Sequence, residues 1–112
     1  MRALCALADR PTAVFCGNDL LALGAHKACT QLGVQVPAAM SLVGCDDIAF
    51  AQLVTPELTT VAVPARELGA RAARLLLRQI DGTGGADAAR KGRPLPVRLV
   101  IRGTTGPVRS AP

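Results

Sequence analysis

The sequence predicts an α/β fold, a parallel sheet with flanking helices, from three observations. Short apolar runs of strand length, at 12–17, 41–45 and 58–63, alternate with longer stretches, at 19–32 and 65–80, whose apolar residues recur at helical spacing. Strands that alternate with helices pair in parallel through right-handed crossovers. The first two runs also close on polar pairs, Asn18-Asp19 and Asp46-Asp47, where buried parallel strands would end. In an open α/β sheet those strand ends form the crevice that holds ligands, so polar side chains planted there point to a small-molecule site.

Each element has its own reason. Residues 3–8 read as the tail of a helix stopped ahead of Pro11, because proline disfavours helical geometry in the residue before it. Residues 12–17 form a short apolar run bounded by Pro11 and Gly17-Asn18, which fits a buried strand. From Asp19 to Leu32 the period becomes helical: Leu21, Ala25, Ala28 and Leu32 make one stripe, Leu20 and Leu23 a neighbouring one, and Gly33 supplies the stop. A helix with one core-facing stripe does not need further exposed leucines, so Leu20 and Leu23 call for a cover of their own.

A loop through Pro37 leads to the strand at 41–45, and residues 48–54 fit one irregular helical turn closed by Thr55-Pro56-Glu57. Residues 58–63 are rich in β-branched side chains and predict a third strand; Pro64 then opens the next helix where a missing N–H is harmless. That helix, 65–80, carries Leu68, Ala72, Leu75, Leu76 and Ile80 against an arginine face. Residues 81–96 are dense in Gly, Ala, Arg and Pro without period and predict a mobile loop. A last strand is expected at 97–101, and residues 103–112 read as a fraying tail, disordered over 108–112. The domain proper is thus 1–80 with 97–107.

Composition narrows the function classes. The chain has 112 residues, the size of one domain, and no apolar run approaches the ~20 residues that cross a bilayer. The first residues are too briefly apolar for a secretory signal, which makes the cytoplasm the expected compartment. The net charge of +5 is uneven, with −2 over residues 1–64 and +7 over 65–112, and eleven of thirteen bases are arginine. Arginine suits phosphate. Yet the chain has no Trp or Tyr and only Phe15 and Phe50, so base stacking has little to work with. Arg71, Arg74 and Arg78 at helical spacing fit a solvated helix face instead, with Glu67 and Arg71 as an i,i+4 pair.

Cys5, Cys16, Cys29 and Cys45 have no close pair of the kind that holds zinc or forms a redox dithiol, and they read as small apolar side chains. Gly82-Thr83-Gly84-Gly85 follows a helix instead of joining a strand to one, so it lacks the setting of a phosphate cradle. His26 lies inside a helix, and no serine or cysteine stands in a nucleophile elbow. No metal or cofactor is called for, and an enzyme is not expected. Asn18-Asp19 also suits a plain helix N-cap. Asp46-Asp47 suits a turn, but neighbouring carboxylates repel, and a polyhydroxyl ligand or a cation would relieve that repulsion.

The ordered motifs together carry a resemblance. Residues 11–15, Asn18-Asp19, Ala22-Leu23-Gly24-Ala25, Gly33-Val34-Gln35-Val36-Pro37, Ser41-Leu42-Val43-Gly44-Cys45-Asp46-Asp47, the stretch from Thr55-Pro56 to Val61, and Arg102-Gly103-Thr104-Thr105-Gly106-Pro107 resemble the LacI/GalR-type transcriptional repressor family, in the C-terminal part of its effector domain. The resemblance implies a periplasmic-binding-protein-like fold whose two subdomains clasp a small effector, sugar-like or nucleobase-like. It also implies a DNA-binding headpiece, of which these residues have no counterpart, so DNA would be a partner only through that headpiece.

Residue by residue, the resemblance makes Asn18 and Asp46 effector contacts and makes Leu23, Leu53 and Val54 positions of a homodimer interface, next to the surplus apolar Leu20. Val63, before Pro64, falls at a hinge or cleft position where the family commonly has glutamine, and Cys45 stands where an aromatic is common; these departures leave the effector's identity open. In relatives the helix at 65–80 packs on the other subdomain, so its apolar stripe predicts association or exchange of elements between chains. Two other classes share the observations: a soluble sugar-binding protein of an uptake system, and a small enzyme with Asp46 or Asp47 as general base.

Overall fold

A computed structural model of the chain describes residues 1–83 and 93–108. In chain order the elements are α1 (Arg2–Cys5), β1 (Ala13–Phe15), α2 (Asp19–Gln31), β2 (Ser41–Cys45), a 3-10 turn (Ala49–Gln52), β3 (Thr59–Ala62), α3 (Ala65–Ile80) and β4 (Arg98–Val100). Strands and helices alternate as the sequence predicts. The limits of α2 and β2 fall on the expected residues to within one, and those of α3 fall on them directly.

The four strands make one sheet in the order β1-β2-β3-β4. Val14 stands beside Leu42 in the first pair, and Gly44 beside Thr60 in the second; both pairs are parallel. β4 departs from the all-parallel expectation, because it runs antiparallel to β3 with Val61 beside Leu99. A parallel crossover needs the intervening helix to return over the same sheet. Here the chain divides into two compact units, Met1–Ala62 with the segment from Arg98 onward, and Val63–Val97, so α3 belongs to a different unit from the strands it links.

The core of the first unit is made of Cys16, Ala22, Ala25, Cys29, Met40, Leu42, Ala51 and Leu58, with Leu42 and Met40 fully buried. The buried stripe of α2 is Asp19, Ala22, Ala25 and Cys29, not the predicted one: Leu21 and Leu32 are exposed. Small side chains let the helix approach the sheet closely, and the longer leucines are left outside that narrow layer. Cys16 and Cys29 are buried free thiols, and burial pushes both up from their ordinary value of 9.0. For Cys29, the neighbouring Cys5 adds to the upward shift.

The predicted fraying tail is corrected over 103–106. Thr104 is fully buried; its hydroxyl donates to Leu42 O at 2.7 Å and accepts from the Thr59 amide at 2.9 Å. Gly103 and Thr104 both donate to Glu57 O, the Leu42 amide donates to Thr104 O, and the Gly106 amide donates to the Ser41 hydroxyl. These bonds satisfy the starts of β2 and β3 and hold the strap against the sheet. Within the second unit, α3 carries no buried residue, and Arg71 donates to Arg93 O. Most of the loop expected at 81–96, including Gly84-Gly85, and the terminal residues 109–112 lie outside the described residues.

Candidate functional site

Because β1, β2 and β3 are mutually parallel, their carboxyl ends lie along one edge of the sheet. Gly17-Asn18-Asp19 follows β1, and Asp46-Asp47 follows β2 on that edge. One side chain ties the two corners together. Asp19, fully buried at the start of α2, accepts from the Ile48 amide through Oδ2 at 2.9 Å and from the Thr60 hydroxyl through Oδ1. The carboxylate therefore bridges the β1 end, the chain just beyond Asp47, and β3. Its place in the first turn of α2 also suits the positive end of the helix dipole.

Gly44 follows from that carboxylate. A Cβ there would overlap Asp19 Oδ1 and approach Leu58 Cδ2 to 3.1 Å, so only glycine fits under the side chain. The sequence allows one residue of Asn18-Asp19 to cap while the other faces a ligand, and the resemblance picks Asn18 for the ligand; neither indicates that Asp19 is the buried bridge. A glycine inside an otherwise apolar strand was the signal that some group approaches the backbone there.

Asn18 is half-buried and caps α2, its Oδ1 accepting from the Leu21 amide at 2.8 Å. Its amide NH2 is not used by the cap. Asp46 is exposed, with its own amide donated to Val61 O at 2.8 Å. Asp46 and Asp47 both hold positive φ, +115° and +57°, a region that non-glycine residues occupy at a cost on the order of 1–3 kcal/mol each. The expected mutual repulsion of the two carboxylates has a protein partner: Asp47 Oδ1 accepts from Arg102 Nη2 at 2.7 Å. Arg102 was not singled out from the sequence.

Val63 is half-buried and is the first residue of the second compact unit, where the chain passes from one unit to the other. Leu20 and Leu53 are 66% and 74% exposed, while Leu23 and Val54 are half-buried against the core. His26 sits half-buried within α2. Among the described residues no group of three or more His, Cys, Asp or Glu is arranged to hold a metal ion, and no helix is long and apolar enough to cross a membrane.

The chain matches the family model of the periplasmic binding protein-like domain over residues 1–105. The chain belongs to that family. It is 44% identical over 102 residues to the HTH-type transcriptional repressor PurR of Mannheimia succiniciproducens, covering 91% of this chain and 30% of that protein. It is 40% identical over 105 residues to the HTH-type transcriptional repressor CytR of Escherichia coli, covering 94% of this chain and 30% of the repressor.

In structure it superposes on a LacI family transcriptional regulator from Enterococcus faecium with bound ribose, at a TM-score of 0.76 and 34% identity, covering 96% of this chain and 38% of that one. The LacI-type chain thus spans about a third of the length of these relatives. The curated relatives are named as repressors and not as enzymes.

Proposed function

We propose that this LacI-type chain is the effector-binding and dimerisation portion of a transcriptional regulator, and that it grips a sugar-like or nucleobase-like small molecule at the carboxyl ends of β1 and β2. The observation that carries the reading is the pairing of a cap and an exposed carboxylate on one sheet edge. Asn18 offers amide donors left over from its cap, and Asp46 offers an exposed acceptor, joined through the buried Asp19 bridge. A donor and an acceptor held on neighbouring strand ends suit hydroxyls of a sugar ring or the edge of a nucleobase.

Closure of two subdomains on the effector would shift the equilibrium that governs operator binding, with DNA contacted by a headpiece and not by these residues. The exposed leucines Leu20 and Leu53, with Leu23 and Val54, are proposed as the face of a homodimer, and Val63 as a hinge or cleft position. The cytoplasm is the compartment this role requires. The names of the relatives, a LacI family transcriptional regulator from Enterococcus faecium and the transcriptional repressors PurR and CytR, favour a regulator over an uptake protein or an enzyme.

Isothermal titration of the chain with ribose, adenosine and hypoxanthine tests the reading. Binding of one probe that weakens at least about tenfold in Asp46→Asn, the loss of one good charged hydrogen bond, supports it. Binding unchanged in Asp46→Asn, or no binding of any probe, counts against it.

A further inference from the structure

The Asp46–Asp47 corner is a backbone arrangement that does not hold itself. Two successive non-glycine residues have positive φ, and such a pair persists only where surrounding groups over-determine it. Two backbone bonds contribute, Asp46 N–H to Val61 O and Ile48 N–H to Asp19 Oδ2, and both act on the backbone flanking Asp47. The Asp47 side chain has another anchor. It meets Arg102, which lies 55 residues further along the chain and is only 10% exposed.

Arg102 is itself fixed at several points. Its amide donates to the Thr59 hydroxyl at 2.9 Å, Nη1 donates to Leu58 O at 2.9 Å, Nη2 donates to Asp47 Oδ1 at 2.7 Å, and Nε lies 3.9 Å from Glu57 Oε2. A planar fork held on a backbone carbonyl by one nitrogen can place the second with little freedom, which a lysine ammonium cannot do. The consequence is a division of labour between adjacent carboxylates. Asp47 is turned to the guanidinium, and Asp46 is left facing solvent at the strand end.

We propose that Arg102 is a positioning residue for the effector site: through Asp47 it holds the left-handed corner after β2 and so presents the Asp46 carboxylate to a ligand. The second half of this assignment rests on the effector reading above. Arg102 touches no ligand in this scheme and acts only through the corner.

Amide hydrogen exchange and probe binding, measured on the same variants of the 112-residue chain, separate the two halves. Arg102→Gln should speed exchange of the Asp46 and Ile48 amides at least tenfold, while the Ala25 and Cys29 amides within α2 keep their protection. Asp47→Asn should do the same, and the double variant should add nothing, because both single changes cut one link. Arg102→Lys, which keeps the charge but not the fork, should lie between wild type and Arg102→Gln. Unchanged exchange at Asp46 and Ile48, or equal acceleration throughout α2, overturns the positioning role.

In the binding arm, affinity for whichever of ribose, adenosine or hypoxanthine the wild type binds should fall at least tenfold in Arg102→Gln and in Asp47→Asn, again without further loss in the double variant. Affinity that is unchanged while exchange accelerates overturns the link from corner to ligand. A wild-type chain that binds none of the three contradicts the effector reading, and the exchange arm still decides what Arg102 does to the corner.

Discussion

Replacing Asp19 with alanine puts the bridge between the strand ends to a quantitative test. The side chain is fully buried and accepts two hydrogen bonds, from the Thr60 hydroxyl and from the Ile48 amide at 2.9 Å. Removing it strands both donors next to the core, and each unpaired buried donor costs about 1–3 kcal/mol. The variant should therefore lose about 2–6 kcal/mol, a large share of a stability on the order of 5–15 kcal/mol. Asp19→Asn keeps one acceptor oxygen and should lose roughly half as much.

The chain has no Trp or Tyr, so urea unfolding is best followed by far-ultraviolet circular dichroism. The midpoint should fall with the slope unchanged, and the melting temperature should drop by about 4 °C or more per kcal/mol. A loss below about 1 kcal/mol for Asp19→Ala would refute the reasoning, because it would mean that the two donors find water or new partners at no cost.

Three further outcomes follow from the same geometry. Gly44→Ala should destabilise by about 1–3 kcal/mol through overlap with Asp19 Oδ1 and Leu58 Cδ2, and pairing it with Asp19→Ala should recover part of that loss, as read by urea midpoints. Thr104→Val should cost about 1–3 kcal/mol and loosen the strap, seen as faster exchange of the Thr59 amide, because that amide and Leu42 O both lose the hydroxyl. Burial raises the Cys29 thiol above 9.0, so the folded chain keeps a proton that the unfolded chain releases. That contribution is full below the unfolded value and is lost as pH rises through the folded one. The urea midpoint should accordingly show no thiol-linked change below about pH 8 and fall as the pH rises through 9.0 and above, less steeply in Cys29→Ala.

Much of this architecture is written in local pattern. The limits of α2 and α3 follow from period and punctuation, with Asn18 and Pro64 at the starts and Gly33 and Asp81-Gly82 at the stops. β2 is legible because an apolar run ends on two aspartates. The core face of α2 is not, since a hydropathy pattern weights Leu21 and Leu32 above Ala22, Ala25 and Cys29, whereas the sheet admits only the small side chains. The direction of β4 is hidden because a strand pattern has no sense: the same apolar residues suit a parallel and an antiparallel partner.

At the candidate site, position after a strand marks the pairs Asn18-Asp19 and Asp46-Asp47, and the family resemblance picks out Asn18 and Asp46 within them. The sequence conceals the work of their neighbours. Asp19 meets residues 29 and 41 positions away, and Asp47 meets one 55 positions away, so no window of periodicity contains either pair. Only Gly44 records Asp19 locally, by lacking the side chain that would collide with it.

The most direct measurement is a residue-by-residue map of where a small molecule sits: 15N-labelled chain titrated with ribose and with adenosine, following every assigned amide. The account predicts that the largest shifts cluster at Gly17, Asn18, Asp46 and Asp47, and that in Asp46→Asn they need at least about tenfold more ligand to reach half their size. Shifts centred elsewhere on the sheet, or a titration midpoint at those four amides that is unchanged in Asp46→Asn, would contradict it.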